Sequence, residues 1–175
     1  MKNDPSVKVL FSEEQIAARI KEVAAQIAKD YNGEPVLMVG ILKGSVTFLA
    51  DLMRALDLDI EIDFMVVSSY GSATKTSGVV QIRKDLDVAI EGRNVLIVED
   101  IIDSGLTLSY LVQNLRQRNP KSVKVVTMLD KPARRKVDFK GNYVGFEVDD
   151  LYIVGYGLDA DQKYRDLPYI GWIEV

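Results

Sequence analysis

The sequence contains no cysteine and no histidine. Without cysteine there are no disulfides, no thiolate metal sites and no cysteine nucleophile, which fits a reducing compartment. Without histidine there is no Ser-His-Asp triad and no imidazole proton shuttle, so any proton transfer falls to carboxylates, lysines or tyrosines. An excess of positive charge is also missing. The 22 Lys and Arg face 26 Asp and Glu, a net charge of −4, so no global field draws a polyanion such as DNA or RNA, and a phosphate has to be bound locally. Long apolar runs are absent too: no window approaches the ~20 residues of a membrane span, and the opening MKNDPSVKV lacks the positive-then-apolar pattern of a secretory leader. These absences predict a soluble, cytoplasmic protein with no nucleic-acid or membrane partner.

What is present is ordinary globular material. At 175 residues, 47% hydrophobic and 27% charged, the chain fits one domain over 1–175 that buries roughly 70% of its unfolded surface. Val7 to Phe11 is a short apolar run. Ser12-Glu-Glu-Gln15 has the form of a capping box, and Ile16, Ile20, Val23 and Ile27 follow at helical spacing until Asn32-Gly33. Pro35 to Leu42 is a buried-strand run; after Lys43-Gly44-Ser45 a helical pattern passes through Phe48, Leu49, Leu52 and Leu56. Ile60, Ile62, Phe64 and Val66 alternate like a half-buried strand, the polar stretch GSATKTSG at 71–78 reads as a mobile loop, and Val79 to Lys84 returns as a strand. Val95 to Val98 is a strand, Leu108, Leu111, Val112 and Leu115 share a helical face, and Asn119-Pro120 stops that helix before a strand over Val123 to Leu129. Further strands are expected at Tyr143–Val148, Leu151–Tyr156 and Tyr169–Glu174. Strands alternating with helices predict an α/β fold with a mainly parallel, twisted sheet flanked by helices, whose ligands sit beyond the carboxyl ends of the strands.

The stretch VLIVEDIIDSGLTL at 95–108 carries the chemistry. Glu99 and Asp100 fall where an apolar strand is expected to leave the core, with side chains on opposite sides of the sheet, and two adjacent carboxylates repel unless a cation or hydroxyls lie beside them. Asp103-Ser104-Gly105-Leu106-Thr107 then leads into a helix N-terminus, whose free N–H groups and dipole favour a phosphate; Ser104 and Thr107 add hydroxyls, and Gly105 permits close approach. Acids for ribose hydroxyls or Mg²⁺, followed at once by a cradle for one phosphate, suit a phosphorylated sugar. Each half alone is more often a strand end or a helix cap, and it is their combination that favours function.

VEDIIDSGLT closely resembles the phosphoribosyl-pyrophosphate signature of type I phosphoribosyltransferases. GILKGSVTFLADL, DFMVVSSYGSATKTSG, MLDKPARR, VGFEVDDLYIVGYGLD and YRDLPYIG each resemble segments of the bacterial hypoxanthine-guanine branch, in order and over nearly the whole chain. The resemblance implies the fold of that family, with a small hood and a mobile flap loop, and transfer of the 5-phosphoribosyl group from phosphoribosyl pyrophosphate to hypoxanthine or guanine. It implies Mg²⁺ as cofactor and a homodimer or homotetramer. By resemblance, Asp103 to Thr107, Leu106 included, hold the 5-phosphate, and Glu99 and Asp100 serve the ribose hydroxyls and one Mg²⁺. Lys43-Gly44 holds pyrophosphate through a loop with an often cis Leu42-Lys43 peptide, Ser69-Tyr70 lies at the flap, and Arg165 grips pyrophosphate. Lys131 donates to the purine 6-oxo group, Tyr152 stacks on the base, the Ile153 backbone touches its edge, and Asp159 binds a second metal nearby. Asp103 is the acid/base candidate, exchanging a proton with purine N7. A plainer role competes for several of these: a Lys-Gly turn, a packing tyrosine, a surface lysine or a surface ion pair. No role attaches to Arg134-Arg135-Lys136, which reads as a solvated face. Two other readings stay open: an RNA-binding regulator on the same fold, which the net charge weakens, and a phosphoacceptor signalling domain, in which the phosphate-type loop has no purpose.

Overall fold

The structure, a computed structural model, describes residues 4, 6–70 and 79–174. The first helix forms where the capping box predicts it. In α1 (Glu13–Tyr31), Gln15 N–H donates to Ser12 Oγ while Ser12 N–H donates to Gln15 Oε1, and Asn32 ends the helix in the left-handed region at φ 49°. Its stripe Ile16, Ile20, Val23, Ala24, Ile27 and Tyr31 is buried.

The strands β2 (Val36–Leu42), β3 (Ile60–Tyr70), β4 (Val79–Lys84), β5 (Asn94–Ile102), β6 (Ser122–Asp130) and β7 (Tyr143–Glu147) form one sheet in the order β4-β3-β2-β5-β6-β7. All pairings are parallel except β3 with β4. Helices cover both faces, as a parallel sheet requires. α1 and α2 (Val46–Ala55) pack with Met38, Leu96, Val98 and Val126 in one layer; α3 (Leu106–Arg116) packs with Leu37, Val39, Val95, Ile97 and Val125 in the other. Alternate residues of β2 and β5 thus feed opposite cores, which is why both strands read as continuous apolar runs. A second, antiparallel sheet of three short strands, β1 (Lys8–Phe11), β9 (Ile170–Ile173) and β8 (Tyr152–Val154), in that order, is the small hood. β8 is shorter than its apolar run because Gly155, Tyr156 and Gly157 all take positive φ and turn the chain away.

Two strand expectations need correcting. The alternating face of β3 is only part-buried, Ile60 and Phe64 packing on the α1–α2 layer while Ile62 is 47% exposed, and the opposite face buries Asp63 and Met65. Asp63 can be buried because its carboxylate accepts from the Phe64 and Asp87 N–H groups and faces Lys84 Nζ at 3.6 Å. β5 does not end at Val98 but continues to Ile102. Its pairing with β2 stops at Gly40↔Val98, whereas its pairing with β6 runs on to Ile102↔Asp130. Glu99 and Asp100 therefore stand inside a strand, at the point where one neighbour has withdrawn and left an opening. The stretch at 71–78 lies outside the described residues.

Candidate active site

Three chain segments meet where β2 withdraws from β5. A cleft of about 330 Å³ is lined by Lys43 and Gly44 after β2, Glu99 and Asp100 on β5, Ser104, Gly105 and Thr107 at the start of α3, and Asp159 and Arg165 beyond β8. Val98 and Ile101, three residues apart, pack on the same α1–α2 layer, so strict alternation breaks at the acid pair. Both carboxylates therefore open into one cleft rather than onto opposite faces. Burial pushes the Glu99 carboxyl well above its usual range, with the Asp100 charge adding to the effect. Burial also raises Asp100, while hydrogen bonds and the Arg165 charge oppose that rise. The pair is strained in charge and calls for a cation.

Both helices that begin at the cleft lack side-chain caps. α2 starts after Ser45, whose hydroxyl donates instead to Ile41 O at 2.7 Å, and α3 starts after Gly105 at φ 80°. With no side-chain cap from Ser45 or Gly105, both helix starts keep the N-terminal end of their dipole turned to an anion. Gly105 is required on two counts: its backbone is left-handed, and an added Cβ would meet Arg135 Cδ at 3.0 Å. Gly44 is pressed harder still, since a Cβ there would stand 1.5 Å from Asp100 Oδ2. The Leu42-Lys43 peptide is cis, as the family resemblance implies. Lys43 is exposed, with Nζ 3.3 Å from Gln162 Oε1. Arg165 donates to Gly157 O at 2.7 Å and pairs with Asp159 at 2.6 Å.

A neighbouring hollow of about 410 Å³ gathers Lys131, Tyr152, Arg134, Asp150, Leu151 and Trp172. Lys131 is buried and donates to Leu151 O at 2.6 Å; Tyr152 is half exposed and Ile153 buried behind it. Ser69 and Tyr70 end β3, where their backbone pairs with Val80 and Val79, and their side chains lie outside the described residues. Leu106 opens α3, its N–H 3.4 Å from Ser104 Oγ. Asp103 lies between the cleft and the hollow, joined to the hollow by Arg134, whose Nε is 2.9 Å from Asp103 Oδ1.

The segment Arg134-Arg135-Lys136 is not a solvated face. Arg135 pairs with the buried Asp130 and donates to Asp103 O, and Lys136 N–H donates to Ser104 O at 2.9 Å. This segment braces the phosphate-type loop. Its contacts with Asp103 and Ser104 join residues 32 positions apart, which no local pattern announces. Trp172 and Asp150 reach the hollow from β9 and from the turn before β8, which no single stretch of sequence brings together.

A family model described as the phosphoribosyl transferase domain matches residues 6–161. The chain belongs to this family. It is 56% identical over 171 residues to the hypoxanthine-guanine phosphoribosyltransferase of Bacillus subtilis (strain 168), covering 98% of this chain and 94% of that protein. Among solved structures, it is similar to a hypoxanthine phosphoribosyltransferase from Staphylococcus aureus, at TM-score 0.94 and 48% identity over 97% of this chain and 93% of the other. It is also similar to a hypoxanthine-guanine phosphoribosyltransferase from Bacillus anthracis with a HEPES molecule in the active site, at TM-score 0.92 and 50% identity over 95% of this chain and 98% of the other. The mostly parallel sheet between helices is the fold of this family.

The cleft's oxygen donors suit Mg²⁺. Among the described residues no group of three or more carboxylates gathers, but Mg²⁺ is commonly held by one or two carboxylates, with water and substrate phosphates completing its octahedron. Glu99 and Asp100, two hard oxygen donors made costly to ionise by burial, fit that pattern. No helix among the described residues is long and apolar enough to cross a membrane.

Proposed function

We propose that the chain is a single phosphoribosyltransferase domain of purine salvage, cytoplasmic and homodimeric or homotetrameric. It transfers the 5-phosphoribosyl group from phosphoribosyl pyrophosphate to hypoxanthine or guanine, giving the nucleoside monophosphate and pyrophosphate. The observation that carries this reading is the cleft itself. It sets an acid pair beside an uncapped, glycine-opened helix start and next to a hollow with a buried lysine and an exposed tyrosine. An RNA-binding regulator has no use for an acid pair set in a cleft, and a phosphoacceptor domain has none for the Asp103–Thr107 cradle.

In this reading Ser104 to Thr107 hold the 5-phosphate by N–H groups and hydroxyls, and Glu99 and Asp100 face the ribose hydroxyls. Lys43, Gly44 and Arg165 hold the pyrophosphate, the guanidinium by its fork. Mg²⁺, when bound at Glu99 and Asp100, neutralises charge on the leaving pyrophosphate, and Asp159 would hold a second ion near the base. Ser69 and Tyr70 belong to a flap that excludes water from the oxocarbenium-like ribose carbon. Tyr152 stacks on the purine, the Ile153 backbone lies at its edge, and Lys131 donates to the 6-oxo group. Purine N9 bonds to the ribose carbon as the bond from that carbon to the pyrophosphate oxygen breaks, the pyrophosphate leaving intact, and the N7 proton passes to the Asp103 carboxylate.

Incubating hypoxanthine, guanine and xanthine separately with phosphoribosyl pyrophosphate and Mg²⁺ should yield the matching monophosphate and pyrophosphate for the first two. No turnover of either base removes the proposal. Two variants sharpen it. Lys131→Ala should raise KM for both bases by the worth of a charge-assisted hydrogen bond, about 1.5–3 kcal/mol, and the parent should refuse adenine, whose 6-amino group offers that lysine only donors. Efficient adenine turnover would contradict the assignment. Asp103→Asn keeps shape and a hydrogen bond but loses the titratable proton, so kcat should fall about ten- to a hundredfold, with affinity for phosphoribosyl pyrophosphate little changed. A wild-type kcat across the pH profile would reduce Asp103 to a loop-shaping residue.

A further inference from the structure

Two side chains with no part in that scheme connect its ends. Arg134 Nε lies 2.9 Å from Asp103 Oδ1, Arg134 Nη1 donates to Asp150 Oδ1 at 3.2 Å, and Lys131 Nζ is 3.6 Å from the same Asp150 oxygen. Charge alternates along this line: the Asp103 carboxylate, the Arg134 guanidinium, the Asp150 carboxylate, the Lys131 ammonium. Its two ends are the groups assigned to purine N7 and to the 6-oxo group.

The array contributes little to folding. Arg134, Asp103 and Asp150 have side chains 50%, 47% and 56% exposed, and ion pairs so open to water are weak. What the array fixes is direction. Asp103 Oδ1 is shut off from water and accepts no hydrogen bond among the described residues, so the contact with Arg134 Nε balances its charge. The Asp103 carbonyl is held from the same segment by Arg135, itself anchored on the buried Asp130. With its main chain tied and one carboxylate oxygen engaged, Asp103 keeps its other oxygen for a proton.

The geometry points to Arg134 as a positioning residue for Asp103, with Asp150 as the link that sets Arg134 and Lys131 together. The carboxylate at N7 and the ammonium at the 6-oxo group then meet the base in a fixed relation. This rests on the reading of Asp103 as the proton-exchanging group.

The test is steady-state kinetics with hypoxanthine on Arg134→Ala, Arg134→Lys, Asp150→Asn, Asp103→Asn and the double variant Arg134→Ala/Asp103→Asn, with Tm measured for each. Arg134→Ala should lower kcat about five- to twentyfold. KM for phosphoribosyl pyrophosphate should hold and Tm should move by no more than about 2–4 °C. Arg134→Lys should recover part of the loss, and Asp150→Asn should show a smaller drop of the same kind. In the Asp103→Asn background, Arg134→Ala should change kcat less than about twofold, because the group it positions no longer takes the proton. A slow Asp103→Asn enzyme combined with a fully active Arg134→Ala enzyme overturns this inference alone, as does a loss that is additive in the double variant. A fully active Asp103→Asn enzyme overturns the underlying reading of Asp103 instead.

Discussion

Gly44→Ala should lower kcat/KM for phosphoribosyl pyrophosphate by about 10²–10³-fold while leaving a folded protein. The added Cβ would stand 1.5 Å from Asp100 Oδ2 and 2.6 Å from its Cγ, so one of the two must move by more than an ångström. Asp100 is not free to swing, because its Oδ1 accepts from Ile101 N–H at 2.7 Å. The loop is not free to retreat either: the Gly44 carbonyl is so closely backed by Gly157 that a Cβ on the latter would stand 2.2 Å from it. In the proposed function Asp100 faces metal and ribose, and a displacement of this size in such a group costs on the order of a hundredfold. The backbone at 44 is not in the left-handed region, so alanine adds crowding but no backbone strain, and the stability cost should stay near ~1–3 kcal/mol. Initial rates, calorimetric titration with phosphoribosyl pyrophosphate and a thermal melt separate the two effects. A variant with parental kcat/KM would show that the Gly44–Asp100 approach has no catalytic purpose.

Much of this architecture is written locally. The capping box at Ser12, the apolar runs of β2 and β5, and the Asp-Ser-Gly-x-Thr turn into α3 each need only neighbouring residues to declare themselves, and each forms as its pattern predicts. What the sequence hid depends on contacts between distant positions. Whether Ile62 or Asp63 is buried is decided by the Asp87 N–H and by Lys84, not by the alternation of β3. The hood joins Lys8 to Trp172, a pairing with no local signature. The extension of β5 past Val98 is carried by β6, which stays paired to Ile102 after β2 has left at Val98, so the acid pair reads as a strand end although it is a strand interior with one side uncovered. Arg134 and Arg135 look like surface charge until Asp103 and Asp130 are brought beside them.

Replacing both acids, as Glu99→Gln/Asp100→Asn, should produce opposite changes in activity and stability. Activity falls by about 10³-fold or more in kcat/KM, because the charge that would hold Mg²⁺ and orient the ribose is gone while the shape remains. Stability of the metal-free protein rises. The Glu99 carboxyl is pushed well above its ordinary 4.5, first by burial and then by the Asp100 charge. Between 4.5 and that raised value the folded state holds a proton that the unfolded chain has released, so stability falls as pH climbs through this window. At pH above the window the parent carries the cost of two adjoining, half-buried negative charges, and the amide variant carries none. Melts in the presence of a chelator should therefore show the variant with the higher Tm at neutral pH and above, the gap closing as pH drops toward 4.5. Adding Mg²⁺ with phosphoribosyl pyrophosphate should reverse the order, raising the parent's Tm and leaving the variant's almost unmoved, since only the parent keeps the acids proposed to hold them. A variant no more stable than the parent at neutral pH without metal would show that the acids are not in electrostatic conflict. The cleft would then lack the poised negative charge from which its affinity for a cation is argued.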